Sequence, residues 1–226
     1  MTAAIKQTLL IASKDLRIES RNRQTLSLVV VLGILIVTVL GLGLGGRVGS
    51  EGSPSAVAVL WVAYLFAGVL CFEKTMAVER QDGALAGLML APLDRGIIYA
   101  AKLLSNLALM FAVAAVITPV GVLFFGFDLS PAPWRFLTII ALSMIGFAAV
   151  GTLFAALASS SRLQGGFLAM LVFPVTLPLV IASTQISTRL YDTQLPWSGS
   201  AFAVLIAFDA IFLVVSWLAF EWVLEP

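Results

Sequence analysis

The side chains able to do chemistry in this 226-residue chain are few and bunched. The stretch from Cys71 to Lys102, CFEKTMAVERQDGALAGLMLAPLDRGIIYAAK, holds Glu73, Lys74, Glu79, Arg80, Asp82, Asp94, Arg95 and Lys102. That is 8 of 25 charged residues, counting 13 basic and 12 acidic ones. Their chemistry is recognition. Wound as a helix, Val78, Leu85, Leu88 and Met89 fall on one side. Glu79, Asp82, Gly83, Ala86 and Gly87 fall on the other, with Leu90 the exception. Gly83 and Gly87 are four residues apart, so the polar side is also shallow, and Pro92 ends the helix. A helix with one apolar side and one charged, low-relief side lies at a membrane surface, where another protein can approach its backbone. An ordinary amphipathic loop between two spans fits the same pattern.

Catalysis is hard to build from what remains. The chain has no histidine, which removes the commonest general base, haem ligand and zinc ligand, and any Ser/His/Asp set. Its one cysteine, Cys71, excludes an internal disulfide and a cysteine-built metal cluster, and reads as a small core residue. No Gly-rich loop leads into a Lys and a Ser or Thr; the glycines from Gly41 to Gly46 end an apolar run. ATP hydrolysis is therefore expected in a partner and not in this chain.

Five other positions stand out. Asp209 sits inside an apolar run, where a carboxylate either contacts a cargo or proton, or fixes packing through a hydrogen bond to Ser143, Thr152, Thr118 or another neighbour; the second use is the commoner. Pro174 and Pro178 remove two backbone donors from one helix. They either expose carbonyls and form a hinge, or simply shape the helix. Tyr191 and Trp197 suit an outer docking surface or, more commonly, an aromatic belt.

The elements that must position these residues are membrane helices. The chain is 61% hydrophobic and 11% charged, with mean hydropathy +1.07; soluble domains carry roughly 25% charged residues. This predicts an all-α polytopic protein with six transmembrane helices in one permease domain covering 1–226. The spans are expected at about 25–46, 56–72, 97–125, 134–158, 164–187 and 200–222, each near the roughly 20 residues a bilayer needs. Trp61 and Tyr64 read as interface anchors, and Pro119 as a kink or break in the third span. Net charge of +1 argues against nucleic acid. Residues 1–24 lack the pattern of a cleavable signal peptide.

Residues 3–22 read as a helix lying on the membrane, with lipid as its partner. Ile5, Leu9, Ala12 and Leu16 share one face and Lys14, Arg17 and Arg21 another, with Lys6 nearby. Asp15, Arg17, Glu19 and Arg21 are expected to pair along it, or the segment is a solvated basic leader that sets topology. Lys and Arg set the orientation. Lys6, Lys14, Arg17, Arg21, Arg23, Lys74, Arg80, Arg95, Lys102 and Arg162 fall on one side, and only Arg47, Arg135 and Arg189 on the other. Both termini and the segment 73–96 are thus expected in the cytoplasm.

The run Glu79-Arg80-Gln81-Asp82-Gly83-Ala84-Leu85-Ala86-Gly87-Leu88-Met89-Leu90-Ala91-Pro92 resembles the cytoplasmic segment of the CcmB family, haem exporter protein B of cytochrome c maturation. So do the leader Lys14-Asp15-Leu16-Arg17-Ile18-Glu19-Ser20-Arg21, and Gln164 to Phe167 followed by Phe173 to Ile181. The likeness covers nearly the whole chain. It departs at Ala84, where Ser is frequent, and at Ala86, where Glu is frequent, which removes an acidic contact. The resemblance implies an ABC-2 exporter-like permease subunit in the bacterial inner membrane. Two copies would dock on two CcmA ATPase subunits, in a complex with CcmC and CcmD that releases haem-loaded CcmE. The implied docking residues are Glu79, Arg80, Gln81, Asp82, Gly83, Gly87 and Pro92. ATP, magnesium and haem would be held by partner subunits. A general ABC-2 exporter for a lipid, drug or polysaccharide is the competing expectation.

Overall fold

Apolar chain in a bilayer can satisfy its own backbone by closing into helices, and the described residues do so. The computed structural model describes residues 2–22, 24–43, 54–81, 94–126, 132–160, 166–189 and 199–223. They form seven helices and, among the described residues, no strand: α1 (Thr2–Asn22), α2 (Gln24–Gly43), α3 (Pro54–Gln81), α4 (Arg95–Phe125), α5 (Pro133–Ser160), α6 (Phe167–Thr188) and α7 (Ser200–Val223). The last six are long and apolar enough to cross a membrane. The chain is an all-α, multi-pass membrane protein.

Two spans make the centre. In α3 and α5, 72% and 78% of the spanning window is buried, against 17% in α2 and 28% in α7. α3 packs on α2, α4, α5 and α6, while α5 packs on α3, α4, α6 and α7. The central helices carry the large buried side chains Leu60, Trp61, Tyr64, Phe72, Ile139, Met144 and Phe147. Trp61 and Tyr64, expected as interface anchors, are fully buried instead. Trp61 donates to Ser187 Oγ at 3.1 Å, and the Tyr64 hydroxyl lies 2.6 Å from Thr118 Oγ1. A ring with a polar tip is suited to an interface, but also to a dry core that supplies a partner for that tip.

Polar crossties join the spans. Ser143 and Ser183 hydroxyls meet at 2.7 Å between α5 and α6, and Ser216 donates to the Ala149 carbonyl at 3.3 Å between α7 and α5. Such bonds average about 0.6 kcal/mol each in a membrane protein, so they act mainly by fixing which faces meet.

Prolines do not break these helices. α4 runs through Pro119, and α6 through Pro174 and Pro178. Pro174 and Pro178 lie on the exposed side of α6 with Met170, Leu177 and Ile181. Their missing donors therefore open toward the lipid side and not into the bundle. α4 ends at Gly126, whose φ of 65° suits a residue without a Cβ.

The third helix differs most from expectation. A separate short helix was expected over 78–92; of that stretch Val78 to Gln81 are the last turn of α3, and 82–92 lie outside the described residues. Between Phe72 and Asp82 the sequence EKTMAVERQ has neither Gly nor Pro and is rich in good helix formers, so the span helix propagates out of its apolar window. Gly151 gives one check on the central packing. A Cβ there would overlap the ring of Phe72 across the α3–α5 contact. Gly151→Ala is expected to lower the melting temperature in detergent, by the equivalent of about 1–3 kcal/mol for overpacking. An unchanged melting temperature would show that the two central helices are not in tight contact there.

Candidate functional site

Several polar groups gather at the start of α4, Lys102, Ser105 and Asn106 among the buried ones. Asp94 caps the helix, its Oδ1 accepting from Gly96 N–H at 2.9 Å. Gly96 lets α7 come close, since a Cβ there would be 2.5 Å from Trp217 Cζ2. Tyr99 sets its ring edge-on to Trp217 at 6.0 Å and packs on Phe220 at 5.2 Å. Lys102 Nζ donates to Asp15 Oδ2 of α1 at 2.6 Å. Asn106 Nδ2 donates to Thr152 Oγ1 of α5 at 2.9 Å, and its Oδ1 accepts from Thr75 Oγ1 of α3 at 3.2 Å. Residues 99, 102 and 106 share one face of α4 by helical spacing. That face thus touches α7, α1, α5 and α3 within three turns.

The ion pair in this cluster is well shielded. The side chains of Lys102 and Asp15 are 7% and 14% exposed. Lys14 Nζ lies 3.1 Å from the other oxygen of Asp15 and is 42% exposed. In so dry a place, removing one member costs far more than the intact pair contributes.

α1 is sorted by charge. Thr8, Ala12, Asp15 and Glu19 recur on one face by spacing, and α1 packs on the α4 helix. Glu19 Oε1 accepts from the Leu26 N–H at 3.0 Å, which satisfies a free donor in the first turn of α2. Lys6, Arg17 and Arg21 are exposed. Among the described residues, the expected pairing of Asp15 and Glu19 with Arg17 and Arg21 along the helix is not present. The acids point inward to Lys102 and a backbone donor, because those partners are drier and already in place.

Asp209 is 6% exposed, and neither carboxyl oxygen has a hydrogen-bond partner among the described residues. The expected bonds to Ser143, Thr152 or Thr118 are absent. Ser143 is engaged by Ser183, Thr152 by Asn106, and Thr118 by Tyr64 and the Ala114 carbonyl. The carboxyl instead rests in the slot left by Gly146, where a Cβ would be 2.5 Å from Oδ1. A groove of about 520 Å³ between α4 and α5 is lined by Phe111, Ala114, Ala115, Thr118, Pro133, Trp134, Phe136, Leu137 and Ile140. The hydroxyl of Thr118, the one hydroxyl in its lining, is already bonded. Cys71 is free and buried. No cluster of three metal-ligating side chains occurs among the described residues.

Of the sequence-predicted docking residues, Glu79, Arg80 and Gln81 are in the last turn of α3, with side chains outside the described residues. Asp82, Gly83, Gly87 and Pro92 lie outside the described residues, as do Tyr191 and Trp197.

The family model described as CcmB protein matches residues 6–225. The chain belongs to the CcmB family. It is similar to Heme exporter protein B of Paracoccus denitrificans, 28% identical over 180 residues, covering 78% of this chain and 80% of the relative. It is also similar to Heme exporter protein B of Bradyrhizobium diazoefficiens, 26% identical over 158 residues and 70% of each chain.

In this CcmB family member, the sequence marks Lys102 as one charge of the polar stretch and of the cytoplasmic side, and Thr152 as a partner for Asp209, while Tyr99, Asn106 and Thr75 carry no role. The available signal was Lys102 and Asn106 four residues apart in a run otherwise fit to cross the membrane. An ionisable or amide side chain there calls for a named partner, as it did for Asp209.

Two measurements check these geometries. Asp15→Leu and Lys102→Met should each destabilise the detergent-solubilised chain, by up to about 3–5 kcal/mol as for a broken buried pair, while the double variant loses clearly less than the sum. Strictly additive losses would mean that the two residues do not act as a pair. Gly146→Ala should lower the melting temperature through its contact with Asp209, and Asp209→Ala in the same chain should recover much of the loss. Without recovery, that contact is not what limits the site.

Proposed function

We propose that this chain is the non-catalytic permease subunit of an ABC-type complex in cytochrome c biogenesis. It couples ATP hydrolysis by a CcmA-like ATPase to haem handling and to release of haem-loaded CcmE from CcmC. The assembly contains CcmC, CcmD and a second copy of this chain. Family membership supports this reading, together with the name carried by both relatives, Heme exporter protein B. ATP and magnesium belong to the ATPase. Axial ligation of haem belongs to CcmC and CcmE, in keeping with a chain that has no histidine. The bacterial inner membrane is the location, with both termini cytoplasmic, in keeping with ten Lys and Arg on that side against three.

The observation that carries the mechanism is the polar start of α4, held to α1, α3, α5 and α7. The ATPase grips residues 78–92. Glu79, Arg80 and Asp82 orient it, Gln81 adds a polar contact, and Gly83 and Gly87 permit close backbone approach up to Pro92. When the ATPase closes on ATP, the segment pulls on the end of α3 and the start of α4 together. Lys102 passes the displacement to α1 through Asp15. Asn106 passes it to α3 and α5, and Tyr99 passes it to α7. Glu19 ties the start of α2 to α1, and α1 follows as a lever. Asp209, Pro174 and Pro178 are then shape-determining residues of the moving bundle.

The test is reversal of charge at Glu79 and Asp82, with the membrane level of the chain monitored. Recovery of the ATPase on mild-detergent purification should fall at least tenfold, with loss of cytochrome c maturation. Normal recovery of the ATPase would sink the docking assignment. A CcmA-like partner that comes down without CcmC and CcmD, and with no cytochrome c phenotype, would favour a general exporter of the ABC-2 type.

A further inference from the structure

The charge sorting of α1 leaves a face that the coupling mechanism does not use. Asp15 and Glu19 are turned inward, to Lys102 and to the Leu26 N–H. What remains outward is cationic: Lys6, Arg17 and Arg21, all exposed. On the same charged helix Ile5, Leu9, Leu10 and Ile18 are 46–59% exposed, apolar side chains that water alone would leave uncovered.

We propose that this face of α1 binds the headgroups of anionic phospholipids. The height of the helix favours lipid over an acidic protein. Lys102 sits two turns into a membrane-crossing helix, so its pairing with Asp15 holds α1 where the apolar layer gives way to headgroups. There Ile5 and Leu9 enter the acyl region, while Arg17 and Arg21 reach phosphates. An acidic protein approaching from water would leave those apolar side chains exposed. Lys6 and Arg21 are fifteen residues apart, roughly 22 Å along the helix. The face therefore meets a row of headgroups and is not a pocket for one. With the acids removed to the inside, no carboxylate of α1 weakens that attraction.

The binding stands apart from the ATPase reading, and so does its test. The full chain is purified in micelles containing equal amounts of phosphatidylcholine and phosphatidylglycerol, and the lipids retained are counted by native mass spectrometry. The wild-type chain should retain phosphatidylglycerol several-fold over phosphatidylcholine, with the preference fading in high salt. Arg17→Gln/Arg21→Gln should retain the two near parity while keeping its helical content and melting temperature. Parity in the wild-type chain would overturn the proposal. So would an undiminished preference in the variant, or loss of an acidic protein partner from the variant with no change in lipid.

Discussion

The arrangement depends on where a membrane protein can afford a buried charge. Lys102 and Asp209 are the buried charged residues among those described, and they have been handled in opposite ways. Lys102 is matched at 2.6 Å by Asp15 from another helix. An ion in a low-dielectric setting is tolerable only when a counter-charge and hydrogen bonds are held in place, and loses far more than it gains when they are not. That sensitivity is what makes the pair useful. α1 and α4 cannot drift apart by even a few ångströms without stranding a charge. A membrane bundle has little hydrophobic drive between its helices, because lipid is as apolar as a neighbouring leucine. Here one charged contact fixes where α1 meets α4, whatever the intact pair adds to net stability.

The same logic explains why so many ties meet on one short length of helix. Tyr99, Lys102 and Asn106 lie on a single face of α4 but touch four different helices. Each tie is individually modest, and together they make the start of α4 the least free part of the bundle. Farther along, α4 relies on ordinary side-chain packing and one hydroxyl pair, Tyr64 with Thr118. A displacement applied before Asp94 is thus shared among helices immediately, and is not spent on bending α4 alone.

Much of the architecture was legible in the sequence, because the length and polarity of an apolar run are read directly by a bilayer. Six spans and a leading amphipathic helix follow from that alone. Side-chain roles were less legible where they depended on which helix lay opposite. Asp15 and Glu19 look like members of a local charge ladder, since Arg17 and Arg21 interleave with them. Only the presence of Lys102 and the first turn of α2 across the contact turns the acids inward. Trp61 and Tyr64 were misread because an aromatic ring near a span's end suits both an interface and a core. The choice between them was made by Ser187 and Thr118, 126 and 54 residues away in sequence. The end of α3 was missed for a different reason. Hydropathy marks where a span stops being apolar, but it does not mark where hydrogen-bonded helix stops.

Asp209 is the counter-example that sharpens the argument about Lys102. Its carboxyl is nearly as buried, and it rests on a glycine with no donor beside it among the described residues. Hydroxyls that could have served it are spent holding spans together elsewhere. A chain that needed a firm tie between α5 and α7 at that depth had serines and threonines to supply one, and it used Ser216 for that purpose about two turns further along α7. The seam between α5 and α7 is therefore fixed at the Ser216 end and left without a polar tie at Asp209. Set beside the crowded start of α4, this divides the bundle into a tightly tied end and a looser seam.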